Sequence, residues 1–530
     1  MNLNTDMNMA NKRFSIKDEF CVWNESGKTT LENEINEEYV LPDYLPDIRK
    51  ILLVRTDVYG SDVLANDNKI EQSGEVVFSI LYSGNDGKIR CISYRAPYSS
   101  SVPFENVYDE SVLEYNTKLK NRSARALSSR KLSLKAKVIT DVSIKNKLCV
   151  SPRLTGHTSV EDEFSLERKT NVVKCINYIS LTESDIRVSE DITFDGRSPI
   201  GEIISCVPEL FVTECRYGQG KMTLKGTVRV TGLVMLAKEA EDEKEEYSSF
   251  EKNIPINHSF ETELPGDNWD CSAKLELGAF EYGAGIDSYG ESRIVEIDFV
   301  CRAKINAMRN EDSVFTDDVY STVYSYENNY KRMDTERLVK CANTNVSVSG
   351  RSDDLKGDGE KINRIVMNSA EAEMNDARIE NGKMIFSGEC MVKALTMSEN
   401  GNYGNFEYSF PVKFEMPCEV DSDNYRYVCD CTVINSRASL DDNKINSNVE
   451  IGMNIYVVDE VSRDAVETIA IDKTMPINRN GEKTVLLYYP DTNETLWDVA
   501  KKYSVSRNAL ASANAKIKGD TIPRVLVIPR

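Results

Sequence analysis

Apolar residues occupy every second position over much of this chain, which is the pattern of strands with one buried face. The stretches at 221–236 ("KMTLKGTVRVTGLVML") and 293–305 ("RIVEIDFVCRAKI") alternate in this way and are rich in Val, Ile and Thr. Asn381-Gly382 precedes another such run and predicts a tight hairpin turn. Before residue 490, few segments have the spacing of an amphipathic helix. The pattern therefore predicts a mainly β protein.

One spacing of residues occurs three times along the chain. Gly74, Gly226 and Gly388 each begin a strand-like run, and an apolar pair precedes each glycine at one constant distance. A proline follows each glycine, at the same distance in the first and third copies and farther away in the second, and an aspartate follows each proline at a constant distance. The remaining members of the pattern are Ile51-Leu52, Ile203-Ile204, Ile365-Val366, Pro97, Pro255, Pro411, Asp109, Asp267 and Asp423. Four matching points in three copies predict a repeated β module of about 150 residues.

The repeat divides the chain into five predicted parts. They are a polar N-terminal segment (1–30), β modules at 31–150, 165–310 and 325–460, and a C-terminal domain at 483–530. Each module is predicted to be antiparallel, and the pattern leaves a sandwich and a barrel open. A glycine that recurs at one place in a strand typically marks a β-bulge or a close approach of two backbones. We therefore assign the three glycines a role in folding.

The charge, the N-terminal residues and the lack of a long apolar run disfavour several classes of protein. The formal net charge of the chain is −21, whereas binding to nucleic acid or to an anionic membrane needs a clustered basic face. The N-terminal residues are polar and show no apolar run typical of a signal peptide. No stretch approaches 18 apolar residues, so no transmembrane segment is expected.

The residues that carry chemistry do not form a recognisable catalytic set. The two histidines, His157 and His258, lie far apart in the sequence in polar surroundings, and no nucleophile motif accompanies them. The 13 cysteines are scattered, and several, such as Cys301 and Cys390, fall in alternating apolar runs. We predict reduced thiols, some of which act as small core residues. We expect no enzyme activity, no metal site and no cofactor.

The pattern changes after residue 483, where a strand, two helices and a strand are predicted in that order. Thr495 is placed to cap the first helix and Ser506 the second. One apolar face of the first helix is formed by Leu496, Val499, Ala500 and Tyr503. The helix also carries Trp497, which we interpret as a core or core-edge residue, with stacking on a sugar as the alternative.

These features resemble known families. The phrase "LPDYLPDIRKILLV" (41–54), the glycine-led strands and the threefold spacing resemble the SPOCS β-repeat of clostridial spore-coat morphogenetic proteins, and the tail from Lys483 to Pro529 resembles a LysM module. The order of repeats before one LysM module is also that of the family. The fold class is therefore three antiparallel β modules followed by a small α+β (βααβ) LysM domain.

The LysM resemblance implies a binding groove formed by two loops. Carried over to this chain, the groove residues are Asn493, Glu494, Thr495, Leu496, Asn514, Ala515, Lys516 and Ile517. The family usually has Gly-Asp-Thr-Leu in the first loop, and this chain has Asn493-Glu494 in place of Gly-Asp. The family often has glycine where this chain has Pro523. Both changes affect loops that would present backbone groups to N-acetylglucosamine.

Two functions remain open from the sequence. The resemblance implies a non-enzymatic scaffold in the mother-cell cytoplasm, at the outer surface of the forespore or in the spore coat. Its partners would be the coat morphogenetic ATPase, of the stage IV sporulation protein A type, and other coat proteins. The alternative is a peptidoglycan-binding protein that uses the LysM groove.

Overall fold

We describe the fold from a computed structural model of the chain. The structure describes residues 20–66, 68–105, 107–108, 111–155, 164–196, 198–238, 245–353, 361–420, 424–441, 444–477, 485–514 and 523–529. Apart from two short helices near the C-terminus, the regular elements in these ranges are β-strands.

The body consists of three copies of a six-stranded unit, in agreement with the predicted repeat. The first copy contains β1 (Phe20–Val40), β2 (Ile48–Asn66), β3 (Lys69–Gly84), β4 (Ile89–Pro103), β5 (Val112–Ser128) and β6 (Lys131–Val150). A short strand, β7 (Arg153–Thr155), leads to the second copy. That copy contains β8 (Leu166–Thr193), β9 (Ile200–Gly218), β10 (Lys221–Leu236), β11 (Tyr247–Glu261), β12 (Asp270–Ile286) and β13 (Ser292–Ser321). The third contains β14 (Tyr324–Arg351), β15 (Ile362–Glu380), β16 (Lys383–Ser398), β17 (Tyr403–Pro417), β18 (Tyr425–Asp441) and β19 (Lys444–Pro476).

The four middle strands have the same lengths in every copy. They contain 19, 16, 15 and 17 residues in chain order in each of the three copies. The first and last strands vary, and the last has 20, 30 and 33 residues. The copies therefore share a constant centre and differ in how far the outer pair of strands extends.

The first and third copies each consist of two separate antiparallel three-stranded sheets, which favours the sandwich of the two architectures that the sequence left open. In the first copy the sheets have the orders β1-β6-β5 and β2-β3-β4, and the third copy repeats this with β14-β19-β18 and β15-β16-β17. In the second copy the two sheets join along one edge, where Asp270 pairs with Arg216. The core lies between the sheets, as Phe386 and Val392 of one sheet pack with Val449 and Ile451 of the other in the third copy.

The recurring glycines each lie opposite a β-bulge, which confirms their predicted role. Gly226 follows a register shift in which β9 carries one extra residue, and Gly388 pairs with Met374 beside a bulge in β15. In the first copy the bulge falls between Tyr59 and Asp62, opposite Gly74. A Cβ atom at Gly388 would lie 2.1 Å from the Glu373 carbonyl oxygen. The strands come too close at this point for a side chain.

The second residue of each apolar pair of the repeat lies where the three copies meet. Leu52, Ile204 and Val366 are the extra residues of a second bulge in their strands. All three are buried in one cluster with Leu81, Leu233 and Leu395, which also occupy equivalent positions. The constant spacing in the sequence thus reflects a shared junction, and the three copies surround a common axis.

Ion pairs join the copies near this axis. Three equivalent carboxylates, Asp57, Glu209 and Glu371, line one cavity of about 520 Å³. Arg55 bridges Asp57 and Glu209 at 2.7 and 2.9 Å, which connects the first copy to the second. Arg122 pairs with Glu371 at 2.6 Å and connects the first copy to the third.

A second charged cluster is buried between the copies. The Lys145 ammonium has no exposed surface and pairs with Glu336 at 2.6 Å and with Glu114 at 3.3 Å. It also lies 3.8 Å from the ring centroid of Tyr178. Arg426 donates to Glu114 at 2.6 Å, so residues from all three copies take part. We call these five residues the Lys145 cluster.

The strands extend beyond the parts that the sequence pattern defined. β1 begins at Phe20, within the predicted polar segment, and β13 and β19 continue to Ser321 and Pro476. These ends are rich in polar residues because one face of the outer strands is exposed, which hides the alternation. We propose unit boundaries of 20–150, 166–321 and 324–476 from these strand ends.

One expectation about the cysteines is wrong. Cys21 and Cys149, which are partners in the β1–β6 register, form a disulfide, whereas we predicted reduced thiols throughout. The bond joins residues 128 positions apart, a proximity that only the strand register creates. The other eleven cysteines are free, and Cys301 and Cys390 are buried core residues as predicted.

Candidate binding site in the C-terminal domain

The last domain has the predicted strand-helix-helix-strand order. It contains β20 (Val485–Tyr488), α1 (Leu496–Lys502), α2 (Arg507–Ala513) and β21 (Leu526–Pro529), and the two strands pair antiparallel. Neither helix in the described part of the chain is long and apolar enough to cross a membrane. Leu496, Val499 and Ala500 are buried, as the apolar face predicted.

Side chains at both helix starts act as the predicted caps. The Thr495 hydroxyl accepts a hydrogen bond from the Asp498 amide, and the Asp498 carboxylate accepts one from the Thr495 amide, which completes a capping box. Ser506 accepts from the Ala509 amide in the same way for α2. Both caps satisfy amides that a helix start leaves unpaired.

Glu494, which lies in the first predicted groove loop, turns back into its own domain. Its carboxylate accepts hydrogen bonds from the Tyr488 hydroxyl at 2.6 Å and from the Asp491 amide at 3.0 Å. Lys502 contributes an ion pair at 3.3 Å. The bond from Tyr488, the Asp491 amide and Lys502 hold the pKa of Glu494 below its usual value. The carboxylate is therefore ionised and engaged in holding the loop.

Asn514, from the second predicted loop, also holds the domain together. Its side-chain amide donates to the Leu510 and Val527 carbonyls, and its carbonyl accepts from the Val527 amide at 2.7 Å. The side chain is buried and joins α2 to β21. The other predicted residues of this loop, Ala515, Lys516 and Ile517, lie outside the described residues. In the first loop Asn493 and Thr495 are exposed, whereas Leu496 is buried.

The domain is docked on the second β unit through α1. The Trp497 indole donates to the Asp318 carboxylate at 2.8 Å, and Lys501 pairs with the same carboxylate at 2.7 Å. Burial alone would raise the pKa of Asp318, but the bonds from Lys501 and Trp497 outweigh it and lower the pKa. Trp497 is only 6% exposed, in agreement with its predicted place at the core edge.

Tyr320, at the end of β13, completes the core of the C-terminal domain. Its side chain is fully buried against Trp497, and the two ring centroids are 4.9 Å apart. Its hydroxyl donates to the Val505 carbonyl at 2.7 Å. We did not predict Asp318 or Tyr320 as partners, because neither belongs to a motif and both lie far from Trp497 in the sequence.

The outer face of the two-stranded sheet carries exposed apolar side chains. Val485, Leu487 and Tyr489 are 58, 57 and 66% exposed, whereas Leu486 and Tyr488 face the domain core. Val527 is the register partner of Leu487 and lies on the same face. The alternation of exposed and buried side chains along β20 indicates this face. The sequence prediction considered only the two groove loops and did not include it.

The fold and the C-terminal domain define a protein of repeated β-sandwiches that ends in a βααβ binding module. Residues 47–127 match the SipL, SPOCS domain family, and residues 492–528 match the LysM domain family. No curated protein and no solved structure gives a significant match to this chain. The resemblance drawn from the sequence is thereby confirmed for one SPOCS domain and for the LysM module.

The matched SPOCS range corresponds to the four strands of constant length in the first copy. It begins just before Ile48 and ends just before Ser128, the limits of β2 and β5. Strands of the same lengths occur in the second and third copies, so the structure contains two further units of the same construction. These families mark a sporulation protein with a module of the peptidoglycan-binding class, and both are binding domains without catalytic function.

Among the residues that the structure describes, the remaining candidates for chemistry are not brought together. His258 pairs with Glu183 at 2.9 Å on a partly exposed sheet edge, and His157 lies outside the described residues. In the ranges that the structure describes, no three His, Cys, Asp or Glu side chains stand close enough to hold a metal ion.

Proposed function

We propose that this protein is a non-enzymatic scaffold in the assembly of the endospore coat. It links the coat morphogenetic ATPase, of the stage IV sporulation protein A type, to the outer surface of the forespore from the mother-cell side. The LysM domain provides one contact surface for the ATPase, and the β units provide further contacts to coat proteins. The main support is the combination of a SPOCS domain and a LysM module in which the groove residues Glu494 and Asn514 are engaged in internal bonds.

The state of the groove residues favours a protein partner over a glycan. Glu494 is held by Tyr488 and Lys502, and Asn514 is held by two backbone carbonyls and one amide. A sugar would have to replace these bonds to use either side chain. An exchange of this kind has a cost because the Asn514 side chain is buried and would lose its partners.

The exposed apolar face is the surface that we assign to the ATPase. Val485, Leu487 and Tyr489 form an apolar strip on a domain in which basic residues outnumber acidic ones between 483 and 530. The rest of the chain is strongly acidic, since the whole chain has a net charge of −21. An apolar strip in a basic domain suits a partner surface with apolar anchors and an acidic rim.

Capture of the purified ATPase by the full-length chain tests this assignment. Leu487→Ser should weaken capture at least tenfold, because it removes a central apolar contact. Leu127→Ser is the matched control, since Leu127 is also 57% exposed but lies on the first β unit. Equal capture by the wild-type chain and the Leu487→Ser variant would refute the role of this face, and no capture by the wild type would refute the scaffold.

The second candidate function is binding of peptidoglycan through the LysM groove, which the LysM match supports. It predicts that the full-length chain sediments with purified cell wall or cortex and that Glu494→Ala reduces the sedimented fraction. Leu487→Ser serves as the control here, because it leaves the groove loops unchanged. A chain that stays in the supernatant excludes this function.

A further inference from the structure

A cavity between the β units extends from the surface to the Lys145 cluster. Its volume is about 630 Å³, and residues of all three units line it. Lys28 and Thr182, on β1 and β8, lie at its exposed side. Its buried side is formed by Glu114, Arg426 and Tyr456. The volume lies within the range of ordinary small-molecule sites.

Two polar groups at the buried side have unused hydrogen-bonding capacity. Glu114 is 7% exposed at its side chain and uses Oε2 to accept from Arg426 and to pair with Lys145. Arg426 Nε has no hydrogen-bond partner within the described residues, and the one further group beside the Glu114 carboxylate that can donate to it is the Tyr456 hydroxyl. The carboxylate accepts hydrogen bonds and Arg426 Nε donates one, so a ligand hydroxyl satisfies either of them.

The charges around the cavity balance. Five carboxylates and five cationic side chains line it, namely Asp62, Glu114, Asp141, Glu276, Asp430, Lys28, Lys274, Arg302, Lys304 and Arg426. Most of those toward the interior are already paired, as Arg302 and Lys304 both bind Glu276 at 2.8 Å. A charged ligand would add an uncompensated charge to a partly buried space. The lining therefore selects a neutral molecule.

The remaining lining is apolar and includes an aromatic ring. Leu64 and Val428, which share strand faces with Asp62 and Arg426, contribute aliphatic surface, and Tyr115 contributes its side chain. Aliphatic and aromatic walls favour the C–H faces of a ring that carries hydroxyl groups at its edge. We propose that this cavity is a binding site for a neutral, hydroxyl-rich small molecule of the sugar or polyol class. The site is separate from the LysM groove and independent of the proposed scaffold function.

Saturation-transfer NMR on the full-length chain tests the site with D-glucose as the sugar probe and glycerol as the polyol probe. Gluconate is the charged comparator of similar size. We expect saturable binding of at least one neutral probe and at least tenfold weaker binding of gluconate. Glu114→Gln should weaken the binding of the neutral probe about tenfold, since it replaces an ionised acceptor.

A second variant tests the site without changing the Lys145 cluster. Thr182→Trp places a large ring at the exposed side of the cavity and should abolish binding, whereas Thr170→Trp should not. Thr170 is also an exposed threonine on β8 and is not part of the lining. Absence of binding by both neutral probes overturns the proposal. Binding that survives Thr182→Trp, or that Glu494→Ala abolishes, overturns it as well, because the probe then binds elsewhere.

Discussion

The Asp318 carboxylate of the second β unit accepts a hydrogen bond from the Trp497 indole of the LysM domain at 2.8 Å. Lys501, one turn further along α1, pairs with the same carboxylate. One acidic residue of the body thus engages two residues on the same face of the helix. These two contacts dock the LysM domain on the second β unit.

Asp318→Asn should loosen this docking. The substitution removes the ion pair with Lys501 and keeps an oxygen that can accept from Trp497, so we expect a loss of about 1 kcal/mol. Hydrogen–deuterium exchange of α1 should become faster by about fivefold. Asp317→Asn is the control, because Asp317 pairs with Lys169 and lies outside the docking contact. Equal exchange in the two variants would contradict the role of Asp318.

Tyr320→Ala should destabilise the LysM domain in the full-length chain. The fully buried ring fills space against Trp497, and removal of such a ring typically costs about 3–5 kcal/mol. Tyr320→Phe removes only the bond to the Val505 carbonyl and should cost about 1 kcal/mol. Thermal unfolding followed by tryptophan fluorescence measures both variants. An unchanged melting temperature for Tyr320→Ala would mean that the domain does not depend on the body.

Gly388→Ala should disrupt the third β unit. The added Cβ atom would lie 2.1 Å from the Glu373 carbonyl oxygen, and strand backbones cannot yield without loss of pairing. We expect a cost above about 2 kcal/mol in chemical denaturation. Gly404→Ala is the matched control on β17, where the nearest atom is 3.5 Å away. Comparable losses in the two variants would speak against a close approach at Gly388.

Lys145→Met should be among the most damaging substitutions in the body. It leaves Glu336 and Glu114 to share one remaining cation, Arg426, so one buried negative charge is uncompensated, and loss of one partner of a buried pair typically costs about 3–5 kcal/mol. Lys131→Met, on the same strand, removes only an exposed pair with Glu38 and should change stability by less than about 1 kcal/mol. Urea denaturation of both variants provides the comparison, and similar midpoints would contradict the prediction.

The Lys145 cluster should also make the folding stability of the protein decrease at low pH. Burial alone would raise the pKa of Glu114, but the charges of Lys145 and Arg426 outweigh it and hold the pKa at about 2, below the usual 4.5. The stabilisation from this carboxylate is therefore complete above pH 4.5 and is lost as the pH falls toward 2. In denaturation at pH 6 and pH 3, Glu114→Gln should lose less stability between the two values than the wild type, by about 1–2 kcal/mol. An equal loss of stability in the wild type and in Glu114→Gln between pH 6 and pH 3 would show that Glu114 does not contribute to the pH dependence.

The repeat could be predicted because its spacing reflects backbone geometry. Each recurring glycine must lie opposite a bulge, and one apolar residue of each copy must reach the junction between the copies. The number of residues between these two positions is therefore fixed, as it is between Leu52 and Gly74, Ile204 and Gly226, and Val366 and Gly388. The helix caps at Thr495 and Ser506 were predictable for a similar reason, since a cap acts on amides close to it in the sequence.

Contacts between distant parts of the chain could not be predicted in this way. Lys145 meets Glu336 across 191 residues, and nothing near either residue marks them as partners. The inward turn of Glu494 depends on Tyr488 and Lys502, which the pattern assigned only to a strand and a helix. The LysM groove was therefore predicted from a family likeness, and its internal bonds became apparent only from the packing.

The length of β13, the last strand of the second β unit, sets the distance between the LysM domain and the point where the β units meet. β13 continues from Met308, which packs at the meeting point of the β units, to Ser321 beside the LysM contact. At about 3.3 Å per residue this part of the strand spans roughly 40 Å. This part of β13 stays paired with β8 over that length, and the LysM domain contacts its end. In the proposed scaffold, a partner bound to the LysM domain would therefore be held at a fixed distance from the point where the β units meet.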